Sequence, residues 1–420
     1  MEYAPKSNII MKINDLRFIW LAFFIFTLSS FQAFSQSNYT KKSVAWKYDL
    51  DSEYILNYRI AKDDTLYHIY FALNIPEGID FEENIGLDYE IKSSLDAEEI
   101  LLTRTLNYPV HGIGRDSEST YFHIRIPDAN NYNVLFLNVR NKVSGKEYAY
   151  DIQFISKTKF PPPDFMIYNN SSLLPVCAEY ITLPETIRIQ DFEDDEQEFF
   201  VYYYKTDFEV ADPPMYRLKK TVSKSMEIST LTKVRNNEPF SLKEEGLYFI
   251  QSDTASLSGI GIRVVSNYYP KMASIKELSE PLIYLSTKDE IDKLVNAEDV
   301  RAAFEGFWLD LAKSESVAKM IIKRYYDRIE DANVRFTNYK EGWKTDMGMI
   351  FIIVGPPDEV YVSEEKESWY YKNPGKNQIV VFNFLKIRNI FSDRHYTLIR
   401  DNQYKSYWYK SIDRWRKGVN

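Results

Sequence analysis

Residues 341–360 read EGWKTDMGMIFIIVGPPDEV, and how this stretch folds decides how the second half of the chain is built. Gly342, Trp343, Thr345 and Asp346 precede an apolar run, Met349 to Val354, and Gly355, Pro356 and Pro357 close it. Ile, Phe and Val suit a pleated surface, so the run is predicted as a β-strand. Thr345 and Asp346 suit a turn whose backbone N–H groups they bind. Gly348 is expected to supply a positive φ before the strand, and Trp343 to fill the gap between a helical segment and a new sheet. On this reading the stretch is a corner of the fold. The two carboxylates that flank the strand, Asp346 and Asp358, then lie roughly 20 Å or more apart. The paired carboxylates of acid–base chemistry need less than ~10 Å.

Upstream, residues 287–333 carry apolar side chains at helical spacing, with Ile321, Tyr325 and Ile329 on one face. Thr287 with Glu290 has the form of a capping box, and Ser314 is a good N-cap. Three helices are predicted, at about 287–296, 298–313 and 314–333. Downstream, SWYYK, IVVFNFLKI and HYTLIRD read as strands, with a turn at Asn373-Pro374-Gly375-Lys376. The basic, aromatic tail around Trp408 and Trp415 reads as a terminal helix.

The first two thirds look different. Short strand-like runs recur between polar turns at roughly ten-residue spacing, the pattern of antiparallel sandwiches. The Pro-rich KFPPPDF (159–165) is a linker, because proline cannot serve a sheet interior. Aromatics make up 16% of the chain and glycine is scarce, which fits strands. The expected fold is mainly β with an α+β C-terminal part: tandem antiparallel Ig-like β-sandwich domains, then a short helical segment leading into a small antiparallel sheet. The divisions fall at 1–35, 36–158, 165–268 and 272–420.

Residues 1–35 read as a signal peptide. Lys12 and Arg17 precede the uncharged apolar run Phe18–Phe34, and small residues before Gln36 suit cleavage after Ser35. An uncleaved anchor is the competing reading, but the run is short for a full span. An extracytoplasmic location follows, in the periplasm or at the outer membrane. The net charge of −9 is unsuited to nucleic acid, which needs a basic face. Peripheral membrane contact through the basic tail stays open.

Candidates for chemistry are sparse. Cys177 is the single cysteine and sits in an apolar stretch, so a buried structural thiol is expected. His68, His111, His123 and His395 are scattered without metal-ligand spacing, and no cofactor motif is present. HGIGRD (111–116) lacks the strand-to-helix context of a phosphate loop and reads as a hairpin turn. QDFEDDEQEF has no central glycine for a Ca²⁺ loop and reads as a solvated acidic loop. In Tyr202-Tyr203-Tyr204, alternation puts Tyr203 on the face opposite the other two.

These residues resemble a known family. Gly342, Trp343, Thr345, Asp346, Gly348, Gly355, Pro356 and Asp358 match the signature of GWxTD-domain proteins, exported bacterial proteins of unestablished role. FWLDLA, IIKRYYDRIEDAN, YYYKTDFEVADPPM and DRWRKG resemble other parts of that family. The resemblance implies membership and architecture, and no catalytic residue. A shorter likeness is to the small lipoprotein subunit of the outer-membrane barrel-assembly machinery. It rests on Gly355-Pro356-Pro357, Trp369-Tyr370-Tyr371 and Phe382-Asn383-Phe384. In that subunit a helix precedes the turn, whereas a strand is predicted here.

Two functions are compatible with this reading. One is a non-enzymatic cell-envelope scaffold with a protein partner. The other is a glycan-binding protein or hydrolase, with Thr345 and Asp346 lining a pocket roofed by Trp343 and Trp369.

Overall fold

The structure is a computed structural model that describes residues 39–76, 79–154, 159–193, 196–215, 226–312, 314–372 and 378–419. The leader-like segment 1–35 and the turn at 373–376 lie outside the described residues, as do residues 194 and 195 of the acidic loop. Residues 39–420 form one compact unit. The chain is mainly β, with helices and a small antiparallel sheet at its C-terminal end.

The first sandwich contains β1 (Ile55–Lys62), β2 (Leu66–Asn74), β3 (Ile85–Lys92), β4 (Leu102–Leu106), β5 (Gly112–Arg115), β6 (Ser119–Pro127), β7 (Val134–Asn141) and β8 (Glu147–Gln153). Its two four-stranded antiparallel sheets run β1-β2-β6-β5 and β4-β3-β7-β8. Alternation works as expected on β3, where Ile85, Leu87, Tyr89 and Ile91 face the core between the sheets. HGIGRD forms the edge strand β5 and its approach, with an irregular register against β6, and is not itself the hairpin turn. Strand β2 is buried on both faces. Tyr67, Ile69, Phe71 and Leu73 fill the sandwich core. Tyr70 and Ala72 pack outward against Met166 and Cys177 of the next domain.

The second sandwich contains β9 (Phe165–Asn169), β10 (Tyr180–Thr182), β11 (Glu185–Asp191), β12 (Glu198–Tyr204), β13 (Thr230–Arg235), β14 (Phe240–Leu242), β15 (Gly246–Gln251) and β16 (Ile260–Val265). Its sheets run β10-β16-β15-β12-β13 and β14-β11-β9, with one parallel pairing, β10 to β16. Tyr203 faces the sandwich core, while Tyr202 and Tyr204 face the other way. Strands β15 and β16 are also buried on both faces. Leu247 and Phe249 pack outward against Tyr339 and Phe391. A Cβ on Gly261 would lie 2.2 Å from the Phe391 carbonyl oxygen. Close packing of this kind leaves no room for slippage between the domains.

Two single-turn helices, α1 (Phe81–Asn84) and α2 (Tyr108–His111), interrupt the first sandwich. The C-terminal part then contains α3 (Ile275–Ser279), α4 (Lys288–Val295), α5 (Val300–Ala312), α6 (Glu315–Phe336), α7 (Asp346–Val354) and α8 (Lys405–Arg416). The capping box at Thr287 and Glu290 forms, Ser314 caps α6, and Ile321, Tyr325 and Ile329 are buried. Val295, at the end of α4, is 75% exposed. The sheet is antiparallel, β17 (Glu359–Val362), β18 (Lys366–Lys372), β19 (Ile379–Lys386) and β20 (Tyr396–Leu398), in that order.

One prediction fails at the centre. Met349 to Val354 is not a strand but most of helix α7. The helix is apolar on every side, and Met349 through Ile353 are fully buried. A helix enclosed all round loses the 3.6-residue alternation that marks a surface helix. A short apolar run then cannot be told from a buried strand by period alone. The contrast with the lipoprotein subunit disappears too, because here a helix also precedes the Gly-Pro turn.

The beginning of the described chain joins this domain as well as the first sandwich, where Trp46 packs against Tyr148 and Tyr150. Thr40 and Val44 N–H groups donate to Val362 and Val360 carbonyls at 2.8 and 2.9 Å, lengthening the β17 edge. Tyr48 then stacks on Phe336 and packs against Trp369.

Gly261→Ala is expected to destabilise the protein by about 1–3 kcal/mol, the usual cost of overpacking. Gly306→Ala in α5, where an added Cβ meets nothing within 4 Å, is expected to gain about 0.5–1 kcal/mol. Urea denaturation of both variants checks the contrast.

Candidate functional site

The signature begins where α6 ends. Asn333 is fully buried; its side-chain oxygen accepts from Trp343 N–H at 3.0 Å. Its amide donates to the Pro270 carbonyl at 2.8 Å. Thr337 accepts from Gly342 N–H at 3.0 Å. The single 3₁₀ turn Gly342–Lys344 therefore lies flat on the last turns of α6. A Cβ at position 342 would sit 2.1 Å from the Ala332 carbonyl oxygen, so only glycine fits.

Thr345 then opens α7 as its N-cap. Its hydroxyl donates to the Gly342 carbonyl at 2.7 Å and accepts from Gly348 N–H at 2.9 Å. Gly348 is helical, so the expected positive φ is incorrect. It is needed for space: its Cβ would lie 2.0 Å from the Gly342 carbonyl oxygen. The positive φ belongs to Gly355, at +105°, where α7 ends and Tyr371 donates to its carbonyl at 2.8 Å.

Asp346 is the first residue of α7, where a negative charge is favoured by the helix dipole. The Arg400 guanidinium grips it at two points, 2.5 and 3.0 Å, and Leu398 N–H donates to it at 2.7 Å. Arg400 also donates to the Asp212 carbonyl at 3.0 Å. Trp343, 2% exposed, lies edge-on to Tyr284, whose hydroxyl donates to the Trp343 carbonyl. Trp369 lies elsewhere, among Tyr48, Phe336 and Phe384, so the two tryptophans do not roof a common pocket. Asp358 is exposed; its carboxylate accepts from Lys372 N–H at 2.6 Å and fixes a strand end. Pro356 is half-buried in the same turn.

The segment after β12 is laced over this knot. Asp207 pairs with Lys344 at 2.5 Å, Arg263 pairs with Glu341 at 2.5 Å, and Ala211 and Met215 enter the C-terminal core. Burial pushes the Glu341 carboxyl up, but Arg263 and Lys344 outweigh it and hold it below its usual value.

Residues 246–417 match the family model of the GWxTD domain. This chain carries a GWxTD domain. The match begins at β15, so it includes the strand whose Leu247 and Phe249 pack against Tyr339, just before the signature. No curated protein matches the chain.

Beside the GWxTD knot the structure assembles a site that sequence spacing could not reveal. A cavity of about 210 Å³ lies where both sandwiches meet the C-terminal domain, reaching from Tyr58 and Gln153 to Lys386 and Tyr396. Glu367, 4% exposed, lines it. Its Oε1 accepts from Tyr48 at 2.5 Å and from Trp369 at 2.7 Å. Burial pushes this carboxyl above its ordinary value despite those bonds, and burial pushes the Lys386 amine below its own. Strand alternation of Glu367 and Trp369 gives no hint of this, because the partner Tyr48 arrives from outside the sheet.

The histidines are less scattered than their spacing suggests. His68 and His123, on neighbouring strands, are 3.1 Å apart at Nδ1 and Nε2. His68 Nε2 lies 2.9 Å from Asp63. With both rings neutral, His123 donates to His68 and His68 to Asp63. Burial would push Asp63 up, but the bonds from His68, Thr65 N–H and Leu66 N–H hold it at about 2. Among the described residues no group of three or more His, Cys, Asp or Glu side chains could hold a metal ion. Cys177 is buried, and its thiol is pushed up to about 12 by that burial.

Asp346→Asn leaves the Arg400 guanidinium without its full counter-charge and is expected to cost about 3 kcal/mol or more, read as a lower denaturation midpoint. His123 and His395 are both pushed down to about 4 by burial, the first aided by His68 and the second by Lys340. The unfolded chain binds these protons near pH 6.5 and the folded chain only near pH 4, so their contribution is lost as pH falls between those values. Glu367, raised by burial, acts in the opposite direction. The check is therefore a difference: stability of the wild type minus that of a His123→Gln, His395→Gln variant is expected to shrink from pH 7 to pH 4.5.

Proposed function

We propose that this is an exported cell-envelope protein that acts as a non-enzymatic scaffold, holding a protein partner. The observation that carries the reading is the use of the GWxTD signature inside the fold. Gly342 and Gly348 provide room, Thr345 caps a helix, and Asp346 is occupied by Arg400 and Leu398. A reacting group must meet its substrate, and these side chains already meet the protein. Function therefore has to be sought in surfaces and junctions that the signature holds together.

Two further features support an envelope role. The sequence of residues 1–35 has the charged, apolar and small-residue parts of an export signal. The order helix, Gly-Pro turn and strands with aromatic pairs also agrees with the likeness to the barrel-assembly lipoprotein subunit. The alternative, a glycan-binding protein or hydrolase at Trp343 and Asp346, would need a side chain there that a substrate could reach, and Trp343 is 2% exposed.

Affinity purification of the tagged protein from its native envelope, at low and moderate salt, tests the scaffold. A stoichiometric envelope protein is expected in the eluate. Recovery of a monomer alone would overturn the reading. Trp343→Ala is expected to lose folded protein, by about 3–5 kcal/mol of core stability, and not to yield a folded protein deficient only in partner binding.

A further inference from the structure

Strand β13 lies at one edge of the five-stranded sheet, paired to β12 on its inner side. The direction of its backbone groups can be read from the ladder. Asn236 N–H donates to the Gln197 carbonyl at 2.9 Å, and Ser229 N–H to the Tyr203 carbonyl at 2.8 Å. Bonded and non-bonded residues alternate along an antiparallel pair, so Thr230, Thr232 and Val234 turn their backbone groups to β12. Leu231 and Lys233 turn theirs outward, and among the described residues nothing bonds them there.

Several other edges are guarded. Residues 40–44 cover β17, the register of β5 against β6 is broken, and β10, β14 and β20 have three residues each. Covered, irregular and short edges keep a sheet from pairing with another chain. Strand β13 has none of these protections. Its six residues hold an unbroken register with β12, contain no proline, and bury only Val234. Leu231 is 53% exposed, and Ile228 just upstream is 48% exposed.

The charges of this edge are selective. Leu231, Lys233 and Arg235 are alternate residues and share one face. Lys233 pairs with Glu198 at 3.0 Å, both of them exposed, and such a pair contributes little. Arg235 has no ion pair among the described residues. A second copy of this edge would bring two lysines and two arginines together, and like charges on adjacent strands repel. A strand with carboxylates on the matching face would be attracted.

We propose that β13 takes up an extended acidic segment of the partner protein as an added strand. The inference rests on the scaffold reading and names the contact by which the partner is held. Main-chain bonds to Leu231 and Lys233 supply affinity, and alternate side chains supply specificity. The segment carries an apolar side chain beside Leu231 and carboxylates beside Lys233 and Arg235.

Fluorescence anisotropy of the whole protein with a labelled peptide that alternates valine and glutamate tests this. The comparisons are the same peptide with lysine for glutamate, and the same peptide with every amide methylated. The glutamate peptide is expected to bind one-to-one, and each comparison to bind roughly tenfold more weakly or worse. Leu231→Pro removes an outward N–H and leaves the ladder to β12 intact; it is expected to weaken the glutamate peptide by about tenfold or more. Arg235→Glu is expected to weaken the glutamate peptide and to strengthen the lysine one. It changes only an exposed side chain, so it decides if Leu231→Pro fails to fold. The proposal is overturned if the glutamate peptide does not bind, if either comparison binds as well, or if the folded variants bind as the wild type does. A dimer in light scattering that Leu231→Pro dissociates would also overturn it, since the edge would then belong to a second copy. Capture from the envelope separates this contact from the scaffold. If Leu231→Pro retains the same partner as the wild type, the scaffold stands and this contact falls. If the wild type captures nothing, the scaffold itself falls.

Discussion

The carbonyl of Ala332, with no space above it for a Cβ at Gly342, is the constraint on which the C-terminal half depends. It brings the turn flat against α6 and thereby sets where α7 starts. Helix α7 then has to be covered on all sides, because it has no polar face to offer water. Helix α6 covers one side through Phe336, and Trp415 of α8 reaches over to donate to the Ile353 carbonyl at 3.0 Å. Each large apolar side chain enclosed this way contributes about 1.5–3 kcal/mol. The same enclosure makes the buried helix start costly unless it is satisfied. Thr345 supplies the cap, and Arg400 balances the charge of Asp346.

The domains are not beads on a string. Strands β2, β15 and β16 are covered on both faces, which in an isolated sandwich would leave apolar rows in water. The covering comes from the neighbouring domain in each case. Residues 40–48 begin on the far domain's sheet and arrive at β1 only afterwards. Such interlocking favours a rigid body over hinged modules. It also concentrates buried polar groups at the junction, where the polar ends of several strands must meet without a common core.

That arrangement explains how an enclosed signature and a working protein fit together. The signature residues keep the layers in register, and the junction that results encloses the cavity beside Glu367. Mutations in the knot would then reach function through geometry.

By itself the sequence determined the elements whose pattern is local. Alternation marked β3, the capping box marked α4, Ser314 marked α6, and Trp408 and Trp415 marked a terminal helix. Cys177 was legible as a buried thiol because its neighbours are apolar. Helix α7 was not, since complete burial erases the period by which helices are told from strands; the signals left were Thr345 as N-cap, Asp346 in the first turn and Gly355 at the end. Tertiary structure alone decided the pairing of Asp346 with Arg400, of His68 with His123, and of Glu367 with Tyr48. In the last of these the partners stand 319 residues apart. No sequence period encodes such contacts, because they depend on which faces the domains bury against one another.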